Sequence, residues 1–192
     1  MFFEIEFLAV IFSLVCVYYT VVKNILSWPI GLIGITLYGI IFFNARLFAD
    51  FGLQFIFFFQ GLYGWYNWVK NKDKLTKELK TTYLSKIDKL KYLFLILITY
   101  IVIASILSSY TNSSVPYVDS FVSTLSLYAN WLLAKRKIDN WYLWIVADII
   151  YIGLFWYKKL YMSSCLYLVF LIMATYGLIN WIKRNKILDE KI

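Results

Sequence analysis

Seven apolar stretches, each bounded by charge, run along the chain at about 5–22, 28–44, 50–69, 92–110, 117–134, 141–157 and 161–182. A helix of about 20 such residues, rising about 1.5 Å per residue, crosses about 30 Å of hydrocarbon. The runs are continuous rather than alternating over ten residues, so membrane strands fit poorly. The first run opens on Glu4 and Glu6, where a cleavable signal would carry Lys or Arg, and so reads as a span. The pattern predicts an all-α integral membrane protein with seven transmembrane helices.

Composition supports this. Of 192 residues, 62% are hydrophobic, 21% aromatic and 16% charged. A soluble domain would have to hide more apolar surface than this length can bury. On a soluble chain a net charge of +8 would point to nucleic acid, but here the basic residues fall between apolar runs, so it speaks of topology instead. Sixteen of the 19 Lys and Arg fall on one side of the predicted helices; Arg46, Lys158 and Lys159 fall on the other. That bias predicts an outside N-terminus and a cytoplasmic C-terminus. The connection 70–91, with eight Lys against three acids, is expected to stay in water and enforce that topology. Histidine is absent, which removes the usual general base and metal ligand. Cys16 and Cys165 lie inside apolar runs and read as small apolar residues. No cofactor is expected.

The two ends of the chain resemble each other. Asn24-x-x-x-Trp28 opens the second stretch and Asn140-x-x-x-Trp144 the sixth; Tyr63-Gly64-x-x-Asn67-Trp68 closes the third and Tyr176-Gly177-x-x-Asn180-Trp181 the seventh. Arg46-Leu47-Phe48 parallels Lys159-Leu160-Tyr161. The offset is 116 residues at the first block and 113 at the later ones. Two three-helix units joined by one extra helix would share an orientation, so the reading is 3+1+3 with parallel repeats. The expected division is a first repeat at 1–69, the basic connection at 70–91, a linker helix at 92–110, a second repeat at 117–182 and a cytoplasmic tail at 183–192.

Polar groups inside the spans are costly and mark the candidate site. A carboxylate at the depth of Asp148 costs about 2.5–3.5 kcal/mol, so it needs a partner, a proton or a wet cavity. Gln60, Asn67, Asn130, Asp148 and Asn180 are read as lining a polar cavity because such groups recur in both repeats. Trp144 and Tyr176 are added as aromatic surfaces for a flat, charged ligand. Trp65, Trp68, Trp156 and Trp181 lie near span ends and are expected in the interfacial belt. A membrane enzyme would need a second acid beside Asp148, and no other span holds one at depth.

The stretch Asn130-Trp131-Leu132-Leu133-Ala134-Lys135-Arg136-Lys137-Ile138-Asp139-Asn140-Trp141-Tyr142-Leu143-Trp144 resembles the W-L-L-x-K-R-K-x-E-N-W-x-x-W signature of the PnuC family of bacterial vitamin transporters. Asn24 to Trp28-Pro29 and Tyr63-Gly64-x-x-x-Trp68 are similar as well; Asp139 and Asn130 depart from the usual Glu and Gln. The resemblance implies a fold related to the SWEET sugar transporters and import of nicotinamide riboside across the bacterial cytoplasmic membrane by facilitated diffusion. It also implies trapping by a cytoplasmic kinase. Relatives that carry thiamine or riboflavin supply the alternative substrates. The expected partners are the vitamin and the bilayer, not nucleic acid; self-association stays open.

Overall fold

The computed structural model describes residues 2–71, 80–111 and 114–189. Among them run α1 (Phe2–Val21), α2 (Ser27–Asn44), α3 (Phe48–Lys70), α4 (Lys86–Tyr110), α5 (Pro116–Ala134), α6 (Asn140–Tyr157) and α7 (Tyr161–Asp189). Each predicted stretch is one helix. Two helices extend well beyond their apolar run, because hydropathy sees only the part in hydrocarbon. α4 starts at Lys86 rather than 92, where Ser85 caps it by accepting a hydrogen bond from the Asp88 amide at 3.1 Å. α7 continues through the expected tail to Asp189. Residues 72–79 of the basic connection and the last residues of the tail lie outside the described residues.

Taken singly, α1, α2, α4 and α7 are long and apolar enough to cross a membrane. The other three, α3, α5 and α6, include Gln60, Asn130 and Asp148 among their interior positions. In α5, Ser120, Thr124 and Ser126 are buried. Each donates its hydroxyl to a carbonyl one turn back, at 2.6, 2.8 and 2.9 Å. Their polarity is thus satisfied within the helix.

The helices close into a cycle of neighbours. α1 packs on α2, α2 on α3, α3 on α5, α5 on α6, α6 on α7 and α7 on α1. α4 packs on α5 and stands outside this ring. Phe94, Leu97 and Ile101 of α4 are more than half exposed, as suits a surface against lipid.

Contacts in α1–α3 recur in α5–α7 at a constant offset of 113 residues. A Cβ built on Gly64 would run into the Trp28 ring, and one on Gly177 would meet Trp141 at 2.6 Å. Each Trp therefore fills a notch that only glycine leaves open. The Trp28–Trp68 rings lie 5.3 Å apart and edge-on; Trp141–Trp181 repeats this at 5.5 Å. Tyr38 stacks on Phe42 at 5.9 Å and Tyr151 on Phe155 at 5.7 Å. Lys23 and Arg136 leave helices in the left-handed conformation, at φ 59° and 60°, and so do Arg46 and Lys159. For a residue with a Cβ that conformation costs about 1–2 kcal/mol, so its return at matched turns shows one turn geometry used twice. These pairs correct the 116-residue offset expected at the first block. The counterpart of Trp28 is Trp141, not Trp144, and position 27, rather than 24, matches Asn140.

An extended strap, 80–85, crosses the basic end of the ring. The Thr82 amide donates to the Arg136 carbonyl at 3.2 Å, and the Ile138 amide to the Thr82 carbonyl at 2.9 Å. The Leu84 amide donates to Asp139 Oδ2 at 2.7 Å, and Lys89 pairs with Asp139 at 3.0 Å. Thr81 accepts from Lys23 Nζ at 3.0 Å and donates to Asn185 Oδ1 at 2.6 Å. The strap thereby ties the α1–α2 turn, the α5–α6 turn and α7 together. Burial beside it lowers the Arg136 guanidinium from its ordinary value, with Tyr63 opposing.

Candidate functional site

The aromatic residues divide by exposure. Trp68 and Trp181, expected in the interfacial belt, have no exposure at all. Their rings meet each other at 6.0 Å across the two halves of the ring. Each indole N–H donates to the end of a helix in the other half: Trp68 to the Leu133 carbonyl and Trp181 to the Thr20 carbonyl, both at 3.1 Å. They are core pins, and the reason lies in carbonyls at helix C-termini that need donors. Trp65 and Trp156 are 38% and 64% exposed, as a belt residue should be.

Of the seven candidate site residues, two serve the same pinning. Asn67 Nδ2 donates to the Ala134 carbonyl at 2.7 Å, and Asn180 Nδ2 to the Val21 carbonyl at 2.8 Å. Asn67 Oδ1 also accepts from Asn71 at 2.7 Å. Tyr176 is 62% exposed, on the same face of α7 as Ile172 and Ile179, both exposed and apolar.

The other four form two pairs. Asn130 Nδ2 donates to Gln60 Oε1 at 2.9 Å, and Gln60 Nε2 to the Leu127 carbonyl at 3.3 Å, which closes the α3–α5 seam. Trp144 and Asp148 lie one turn apart on α6. Trp144 is half-buried against the tryptophan core. Asp148 is only 4% exposed and forms no ion pair among the described residues. Tyr151, three residues on from Asp148 in α6, packs its ring against that of Tyr167 with centroids 4.4 Å apart. Those tyrosines come from α6 and α7; Tyr151 is one of the aromatic residues that the sequence offers as a stacking surface for a flat, charged ligand, whereas Tyr167 carries no such signal in the chain. A buried acid beside aromatic faces is chemistry that suits a flat cation.

A cavity of about 510 Å³ lies elsewhere, between α3, α4 and α5 on the outside of the ring. It takes in Gln60, but no residue of α6 lines it. Lys91 and Lys135 stand in its wall, a poor setting for a cation, so the cavity and the buried acid are separate features.

Over residues 4–183 the chain matches the family described as Nicotinamide mononucleotide transporter. It is 28% identical to the nicotinamide riboside transporter PnuC of Escherichia coli, over 93% of this chain and 84% of that protein. It is 20% identical to the riboflavin/roseoflavin transporter RibM of Streptomyces davaonensis, over 85% of this chain and 78% of that one. The crystal structure of the vitamin B3 transporter PnuC superposes with a TM-score of 0.76, at 24% identity, covering 95% of this chain and 82% of that one. That likeness is one of fold.

Proposed function

The chain belongs to the nicotinamide mononucleotide transporter family and is a multi-pass membrane transporter of a small vitamin, and from that premise we propose that its substrate is nicotinamide riboside. The observation that carries this is Asp148: a buried carboxylate with no ion-pair partner among the described residues, in a set of apolar spans without a Lys or Arg at depth. A cationic pyridinium ring supplies the missing charge. A mononucleotide would bring a phosphate with no cation to receive it, so the riboside fits better than the nucleotide in the family's description.

In this reading Asp148 and Trp144 contact the vitamin. The Gln60–Asn130 pair holds the seam that moves, and Asn67, Asn180 and Tyr176 keep the frame. The halves α1–α3 and α5–α7 act as parallel repeats with α4 as the linker, rocking about the α3–α5 and α7–α1 seams. The basic end faces the cytoplasm and the N-terminus the outside. Transport is facilitated diffusion, made one-way in the cell by a cytoplasmic kinase.

Purified protein in liposomes tests it. Radiolabelled nicotinamide riboside should equilibrate across the bilayer and then stop, while Asp148→Asn and Trp144→Ala slow uptake several-fold at equal insertion. Wild-type uptake by both variants removes these residues from the site. Uptake of thiamine, which is also cationic, but not of the riboside replaces the substrate. Accumulation above equilibrium under a pH gradient replaces facilitation with proton coupling.

A further inference from the structure

The groove outside the ring is built for a different guest. We propose that it binds one anionic phospholipid of the surrounding bilayer, with the phosphate at Lys91 and Lys135 and an acyl chain along α4.

Its walls grade from charged to apolar. Asp88, Lys91, Tyr92 and Lys135 stand at the basic end; Leu95, Ile56 and Leu127 follow deeper in. From Asp88 to Thr99 the groove follows α4 for about 16 Å at about 1.5 Å per residue, a length that takes a headgroup and part of a chain. Because α4 packs on α5 outside the ring, the groove it walls lies on the outer side of the α3–α5 seam.

The cations at its mouth are short of anions. The Lys135 ammonium lies 4.6 Å over the Trp131 ring and 3.4 Å from the Tyr92 hydroxyl, with no carboxylate in ion-pair range among the described residues. Lys91 is exposed at the groove edge. The one acid in the wall, Asp88, is engaged at the helix start, where Ser85 donates to its Oδ2 at 2.7 Å. Two ammoniums against one committed carboxylate leave a positive mouth, which repels a cationic vitamin and attracts a phosphodiester.

The floor leaves little hydrogen bonding for a polar guest. Gln60 is spent on Leu127 and Asn130, and the Thr99 and Tyr128 hydroxyls bond each other at 2.9 Å. What remains for an occupant is largely aliphatic and aromatic surface, which an acyl chain covers.

The test is native mass spectrometry of the full chain, delipidated and then equilibrated with phosphatidylglycerol or with phosphatidylcholine in mixed micelles. The wild type should retain one phosphatidylglycerol per chain with about tenfold preference over phosphatidylcholine, since each basic residue near the surface contributes appreciably to anionic binding. The double variant K91Q/K135Q should bring retention down to the phosphatidylcholine level. K91Q alone, at an exposed position with no packing to lose, should lower it part of the way. K183Q/K186Q, which removes the same charge from α7, should leave it unchanged. Equal retention of the two lipids by the wild type overturns the proposal, as does undiminished phosphatidylglycerol in both K91Q and K91Q/K135Q, or equal loss in K183Q/K186Q. The readout does not depend on which vitamin is carried.

Discussion

At the Trp28 and Trp141 notches the two halves of the ring nearly repeat one another, yet at positions 35 and 148 one half carries Ile and the other Asp. The same contrast holds elsewhere. The offset of 113 pairs Asn67 with Asn180 and Trp68 with Trp181, and each pair makes the same hydrogen bond to a helix end. It pairs Trp144 with Gly31, Asn130 with Val17 and Gln60 with Met173, where nothing chemical is shared. What is doubled serves the frame, because both halves must solve one packing problem. What is single is free to meet a substrate that has no two-fold symmetry of its own.

Swapping across the halves breaks this comparison most sharply. Asp148→Ile copies the first half into the second, and uptake should fall about tenfold or more, the worth of a close charge pair in a binding site at about 1.5 kcal/mol and up. Insertion should persist, since a buried charge is removed. Adding Ile35→Asp should not restore uptake in liposomes; rescue would show the halves to be interchangeable.

The doubled notches should fail alike. Gly64→Ala and Gly177→Ala each push a methyl into a buried indole, at about 1–3 kcal/mol for overpacking. Thermal unfolding in detergent should show both losses, the first at least as large as the second. A variant that costs nothing would mean its tryptophan can leave the notch.

Smaller effects sharpen the division of labour. Asn67→Leu and Asn180→Leu should each cost about 0.6–1.7 kcal/mol of stability, the range of interhelical hydrogen bonds, with the KM for uptake unchanged. A raised KM in either would return that amide to the substrate. The smallest change is expected from Lys158→Gln. It removes the 3.0 Å pair with Asp119 on the sparsely charged end, an interaction without a copy in the first half, where position 45 is Ala. The loss should not exceed about 1 kcal/mol by thermal unfolding.

Hydropathy located all seven helices, because crossing hydrocarbon leaves a long uninterrupted mark. It did not place the start of α4, which a serine cap decides. The repeat was legible, but its first register slipped by three residues. Trp141 and Trp144 both answer to a tryptophan match, and only the glycine that receives the ring tells them apart. The candidate site residues differ in what the chain alone shows of them. A lone acid at depth announces itself, whereas Asn67 and Asn180 looked like ligands because the Ala134 and Val21 carbonyls they serve are distant in the chain. The lysine-lined groove left no local mark, since α3, α4 and α5 supply its wall from separate places.

The strap also makes the cycle of this protein observable. Three of its amide hydrogen bonds, Thr82 to Arg136, Ile138 to Thr82 and Leu84 to Asp139, lie where the halves are fastened. If rocking loosens that end, those amides exchange with deuterated solvent faster than amides beside the tryptophan pins. Exchange at Thr82, Ile138 and Leu84 would then report opening of that end with no labelled substrate, and should quicken when the vitamin is added on both sides.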